Sequence, residues 1–328
     1  MQNWDSYINA AKATGHPNGQ PHSGLGMLLR SEMPGLRYLK IGDTWHRDTA
    51  LQEFLSGADL AGILANAGIR SVGIELARQL LTPSMARQTE AQARMLRTRQ
   101  IDPQTYDRHR RKLWQDFETA RQDWARRLPI RGLDQIGQNR LDHWDKQIHG
   151  FNAAGLTVHG IDNFQWMRDL IPGPAERLYL GDREVTDHAI AQTFPRKTAI
   201  IYGADHFRYH GTMGEFFKPD DSLHIDIYSS RRAYERIRKH FSAHSDMIPD
   251  YVYLLDEQSV ERPDPDLYRR VDDPQADMYQ RYKQQALNDY TNAATSDHPL
   301  ADAGITKLDS TRRSYFRISP HRAARMTV

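Results

Sequence analysis

Four short apolar runs in this chain each end on a polar residue able to do chemistry. They are Leu36–Gly42 before Asp43 and His46, Ser71–Ile74 before Glu75, Leu156–Ile161 before Asp162, and Ala199–Gly203 before Asp205 and His206. Runs of this length and apolar content predict strands. The segments between them carry helical periodicity, so the pattern alternates strand and helix and predicts an α/β fold with a mainly parallel sheet flanked by helices. In such a sheet the carboxyl ends of the strands share one edge, and ligands bind in the crevice there. The four runs therefore propose one composite site from pieces far apart in sequence.

The intervening pattern fills in the elements. After the loop Gly42–Asp48, Thr49 with Gln52 three residues on fits a capping box. Leu51, Phe54, Leu55, Ala58 and Ala61 then share one helical face, and Gly68 suits the helix end. Residues 84–154 read as a helical insertion. Ser84 can cap its first helix, Asp102-Pro103 starts a second, and Leu141, Trp144, Ile148 and Phe151 mark a third that Gly155 can end. These helices, with Trp124 and Trp144 inward, are expected to pack over the sheet; a lid or partner-binding arm is the alternative. A helix is expected over Asp182–Phe194. Thr198–Tyr202 is apolar enough to be buried on both faces. Leu223–Tyr228 alternates, as an edge or half-exposed strand would, and Tyr251–Leu255 adds one more strand. The boundaries read from the pattern are an irregular lead-in at 1–35, an α/β domain at 36–256, and a loosely packed, polar C-terminal extension at 257–328, with one helix around Ala276–Tyr290.

Composition narrows the classes. The 328 residues suffice for one large α/β domain with additions. Lysine and arginine total 44 against 42 acidic residues, so the formal charge of +2 gives no electrostatic case for nucleic acid or a membrane surface. No cysteine is present, which excludes disulfides, thiolate nucleophiles and cysteine metal sites. No apolar run approaches a membrane span. The first residues lack the basic start and apolar centre of a signal peptide, so the expected location is cytoplasmic, or outside the cell by a route without a cleaved signal.

The candidate chemistry sits on the strand ends. Asp43 and His46 share a loop on which a carboxylate can fix the histidine tautomer and raise its basicity, as a general base acting on water requires. Glu75 ends the next strand in the pattern. His206 follows Gly203-Ala204-Asp205, where small residues allow close approach of a ligand. Trp45, Asp205 and Asp162 are candidate substrate contacts, although Asp162 better fits a cap or a turn of the chain. His46, Glu75 and His206 could hold zinc or manganese, while metal-free acid–base chemistry stands on equal footing.

Taken in order, these motifs resemble a known superfamily. Ile41-Gly42-Asp43-Thr44-Trp45-His46-Arg47 resembles the Gly-Glu-x-x-His motif of erythromycin-esterase-like proteins and, more loosely, the Gly-x-x-His of the ChaN and TraB/Tiki families. Ser71-Val72-Gly73-Ile74-Glu75 is similar to their strand ending in glutamate. Asp182-Arg183-Glu184-Val185 is similar to their arginine motif, and Ile200-Ile201-Tyr202-Gly203-Ala204-Asp205-His206-Phe207 to the strand and Gly-x-x-His that close the site. The resemblance covers roughly residues 36–217 and departs at Asp43, where the esterase-like pattern has glutamate. It implies a hydrolase, of esterase or metal-dependent protease type, acting on a small molecule or peptide. It adds Arg183 to the site as a partner of Glu75 or of an anionic transition state. The superfamily also implies an alternative without catalysis, a protein binding haem or another small ligand through His46 or His206. A secreted bacterial effector or toxin, acting on a host or competitor, is the third reading these features allow.

Overall fold

The computed structural model describes residues 2–13, 21–127, 138–163, 181–209, 211–240 and 247–268, with two short strands at 305–307 and 316–318. The expected helix around Ala276–Tyr290 lies outside these residues, as do His210 and the side chain of Trp124.

A seven-stranded sheet organises the chain. Its strands are β1 (Tyr38–Asp43), β2 (Ser71–Ala77), β3 (Thr157–Asp162), β4 (Thr198–Gly203), β5 (Ser222–Tyr228), β6 (Tyr251–Leu254) and β7 (Ser259–Glu261), in the spatial order β3-β2-β4-β1-β5-β6-β7. All neighbours are parallel except β7, which runs antiparallel to β6. The fold is thus α/β, with a mostly parallel sheet between helices. The four strands that carry the candidate residues are adjacent, with β4 between β1 and β2.

Alternation along the strands gives the sheet two unlike faces. Leu39, Ile41, Val72, Ile74, Val158, Ala199, Ile201, Ile225 and Ile227 join one apolar core. That core is closed by helices α1 (Trp4–Lys12), α2 (Ser23–Glu32), α3 (Thr49–Leu55), α4 (Ala58–Asn66), α5 (Pro83–Arg97), α6 (Pro103–Arg127) and α7 (Gln138–Ala153), all of which supply buried side chains to it. The opposite face carries buried polar groups: Lys40, His224 and Asp226. Burial pushes the Lys40 amine down to about 8, and its Nζ donates to the Gly214 carbonyl at 3.1 Å.

Several sequence expectations change here. Residues 1–35 are not an irregular lead-in, because α1 and α2 bury Trp4, Tyr7, Leu25 and Leu29 against the core. β5 is not an edge strand. It lies between β1 and β6 with every residue buried, and its polar alternate residues pair with one another on the polar face. The helix after β1 divides at Ser56-Gly57 into α3 and α4. Asp48, not Thr49, caps α3 by accepting from the Leu51 amide at 3.1 Å, and Thr82, not Ser84, caps α5 ahead of Pro83. Asp102 does cap α6, accepting from the Thr105 amide at 2.7 Å. The 84–154 helices pack as expected: α5 and α7 lie against each other and against β3, with Trp144 buried. Past residue 257, β7 extends the sheet and the Tyr268 side chain is buried.

Candidate active site

The site opens where β1, β2 and β4 end. β1 and β4 run in register to Asp43 opposite Gly203, and the Asp43 carbonyl accepts the Ala204 amide at 3.0 Å. The ladder from β2 to β4 stops at Ile74 opposite Ile201, and the β2–β3 register shifts between Ile74 and Ala77. Glu75 stands at that break. It turns across the gap to β4, where its Oε2 accepts the Gly203 amide at 3.1 Å.

His46 is built by the loop after β1. Its Nδ1 lies 2.7 Å from Asp43 Oδ2, and that oxygen also accepts from Gln52 Nε2 at 2.8 Å. Asp43 Oδ1 accepts the Trp45 amide at 3.2 Å. The loop is tied to the end of β5, where Thr44 Oγ1 donates to the Ile227 carbonyl at 2.5 Å and Ser229 bonds Asp48. A carboxylate only accepts, so Asp43 places the imidazole proton on Nδ1 and leaves the lone pair on Nε2. That Nε2 sits 3.7 Å from Glu75 Oε2. Partial burial works against the imidazolium, but Glu75 and Asp43 outweigh it, and the His46 pKa is raised above its ordinary value. The ring is half exposed, at 47%.

His206 is held the same way from another direction. It follows β4 on the short helix Asp205–Arg208, and its Nδ1 lies 2.5 Å from Asp182 Oδ1. Asp182 opens helix α8 (Asp182–Thr193), is buried, and accepts the Met213 amide on its other oxygen at 3.1 Å. The Tyr202 ring meets His206 edge-on, with centroids 4.6 Å apart.

The two histidines meet at Gly203. A Cβ placed on Gly203 would stand 3.3 Å from His46 Nε2 and 3.3 Å from His206 Cδ2. The facing atoms of the two rings are therefore within about 7 Å of each other, and the gap between them lies beside Gly203.

Two site residues come from the insertion. Arg140, near the start of α7, brings Nη2 to 4.0 Å from Glu75 Oε2, with its guanidinium over the Trp144 ring at 5.2 Å. His143, one turn on, is buried beside Asp43 and His46. Desolvation and the Arg140 charge press its pKa down to about 4, so it stays neutral. Neither had a strand-end signal. The available clue was spacing: Arg140, His143 and Gln147 form a polar row beside the apolar row of α7.

The remaining sequence candidates are placed as follows. Trp45 is 57% exposed on the His46 loop, while Asp48 donates its amide to the Trp45 carbonyl at 2.9 Å. Asp205 is partly exposed, 3.5 Å from Arg208. Asp162 is buried at the end of β3 and accepts the Asn163 amide at 2.8 Å. Arg183 is not brought to Glu75. One residue after Asp182 on α8, it is rotated outward over the Phe216 ring and pairs with Asp187 at 3.1 Å. From the motif Asp182-Arg183, the buried aspartate faces the site, and the cation beside Glu75 is Arg140.

Among the described residues, no group of three or more histidine, aspartate or glutamate side chains is arranged to hold a metal ion. His46 and His206 each commit Nδ1 to an aspartate, and the Glu75 oxygen near His46 is taken by a backbone amide. No helix among the described residues is long and apolar enough to cross a membrane.

No family model matches the chain, and no curated protein matches it. Among solved structures it is similar to the type III effector HopBA1, with a TM-score of 0.41 and 16% identity over 66% of this chain and 86% of that one. A likeness this distant says nothing about activity.

Proposed function

We propose that the chain is a hydrolase that cleaves an ester or similar acyl bond with water activated by His46. The observation that carries this reading is the approach of both histidines to Gly203, where a Cβ would stand 3.3 Å from His46 Nε2 and 3.3 Å from His206 Cδ2. Each ring is fixed by a carboxylate at its far nitrogen. The reading also rests on the ordered motifs that resemble the erythromycin-esterase-like, ChaN and TraB/Tiki proteins.

In this mechanism His46 Nε2 takes a proton from water as the water oxygen attacks the acyl carbon. The imidazolium so formed lies between Asp43 and Glu75, which favour its charge. The same proton then passes to the leaving oxygen as its bond to the acyl carbon breaks. His206, oriented by Asp182, binds the opposite side of the reacting group. Nothing in this sequence requires a metal.

General base catalysis of this kind contributes on the order of 100- to 10,000-fold. Turnover of 4-nitrophenyl acetate and longer esters, measured on the purified chain, should fall by about that factor in His46→Ala. Circular dichroism should be unchanged, and thermal melting should fall only by what the pair with Asp43 contributes, since His46 is half exposed. Full turnover in a folded His46→Ala protein would overturn the assignment.

A further inference from the structure

We infer that Arg140 is a specificity residue that receives an anionic group of the substrate, a carboxylate or a phosphate, beside the reacting bond. The inference names the substrate class of the hydrolytic site proposed above and rests on that reading for the scissile bond alone.

The argument starts from what the guanidinium does not do. It presents five N–H donors in a planar fork. Among the described residues it donates no hydrogen bond. Its nearest carboxylate, Glu75, stands 4.0 Å away, beyond hydrogen-bonding distance, and the Glu75 oxygen concerned already accepts the Gly203 amide. Other arginines in the described structure are bonded: Arg208 to Asp226 and Tyr228, Arg110 to Asp107 and Asp145, Arg231 to Glu257 and Glu261. Arg140 instead lies over the Trp144 ring, 5.2 Å from its centroid, a contact that uses no donor. Its side chain is 27% exposed, so the donors are within reach of a ligand.

Position gives the fork its meaning. Arg140 acts on His46 as a neighbouring positive charge, opposing the pull of Asp43 and Glu75. An anionic substrate entering the gap would meet those two carboxylates and be repelled. Arg140 is the fixed cation placed to cancel that repulsion and to bind the anion in a bidentate pair. A neutral substrate would leave the fork unused. The α7 insertion thereby admits anionic acyl substrates that the strand-end carboxylates alone would disfavour.

The experiment compares matched 4-nitrophenyl esters: the half-esters of succinate and adipate, which carry a free carboxylate, against the neutral butyrate and hexanoate esters of equal length. In the wild-type protein kcat/KM should favour the anionic member of a pair by roughly 10- to 100-fold, the range of one charge-assisted pair. In Arg140→Gln that preference should collapse towards one, and in Arg140→Lys part of it should return. Thermal melting identifies a misfolded variant, in which case Arg140→Lys alone decides. A preference unchanged by both substitutions, or an equal loss on neutral and anionic esters, would overturn the inference while leaving the hydrolase intact. Succinate and inorganic phosphate are titrated separately by calorimetry to distinguish the two anions. If no ester is cleaved, the hydrolase reading falls and the titrations decide this one. Saturable binding of either anion, weakened tenfold or more by Arg140→Gln, supports it; no binding, or binding indifferent to the substitution, rejects it.

Discussion

Replacing Gly203 with alanine tests the composite site with the smallest perturbation that can reach it. The added methyl would stand 3.3 Å from His46 Nε2, 3.3 Å from His206 Cδ2 and 3.5 Å from His46 Cε1. These contacts are tight but not prohibitive, and both rings can give by a few tenths of an ångström. The chain itself loses little, since alanine restricts the unfolded state and recovers about 0.5–1 kcal/mol where the backbone accepts it. Stability should therefore change by no more than about 1 kcal/mol. Turnover should not survive so well. The methyl would press on both rings beside the place where water and the acyl carbon have to stand in the proposed reaction. Displacing reacting atoms by about 1 Å costs on the order of 100-fold, and full exclusion costs more. Urea unfolding gives the first number and 4-nitrophenyl ester kinetics the second. A stable Gly203→Ala protein with wild-type kcat/KM would show that the gap is not where chemistry happens.

Two further substitutions probe the supports of the site. In Asp43→Asn the His46 proton loses its fixed place on Nδ1, and kcat/KM should drop on the order of 100-fold. The base form of His46 is the neutral one, so wild-type activity should rise with pH through a value above that of an ordinary histidine, and in Asp43→Asn this limb should move to lower pH. The sign for stability is the reverse: a raised folded pKa stabilises the fold below the unfolded value and ceases to do so as pH rises through the folded one. The stability difference between wild type and Asp43→Asn should thus be larger at pH 5.5 than at pH 8.5; a flat difference would refute the coupling. Gly42→Ala is the structural counterpart of Gly203→Ala. Its Cβ would fall 2.1 Å from Asp226 Oδ1, a buried carboxylate that bonds Arg208 and His224. Moving that carboxylate breaks a buried ion pair, at about 3–5 kcal/mol; a loss under 1 kcal/mol in urea unfolding would contradict the packing.

How far the site could be read from sequence depends on where each residue sits. The strand-end residues were legible because a parallel sheet gathers its carboxyl ends whatever their separation in sequence; His46, Glu75 and His206 follow from that rule alone. Asp182 and Arg183 were ambiguous because both belong to one motif, and only the rotation of about 100° per helical residue decides which faces inward. Arg140 and His143 were hidden by their setting. On a helix whose polar positions hold glutamine, asparagine, aspartate and histidine, a polar residue facing a site cannot be told from one facing water without the neighbouring elements. The alternation of Leu223–Tyr228 misled for a related reason. A period of two reports two unlike environments, and here the polar one is a buried network, not solvent.

That buried network explains why the site can be rigid on a loop-rich edge. Asp226 reaches from β5 across Gly42, the residue before Asp43, and holds Arg208 at 2.7 Å. Arg208 is two residues from His206 on the same short helix, and its fork also donates to Tyr228 at 2.9 Å, whose hydroxyl meets that of Tyr268 at 3.0 Å. Each of the two histidines thus stands on a segment fixed from two directions. His46 is held by Asp43 and Gln52, on a loop tied to β5; His206 is held by Asp182, on a helix tied to β5 through Arg208 and Asp226. The same strand therefore anchors both sides of the gap. Orientation held in this way is set during folding rather than during reaction, which is the condition under which acid–base groups are most effective. It also accounts for glycine at 42 and at 203: the first admits the carboxylate that fixes the site, and the second leaves room for what the site would act on.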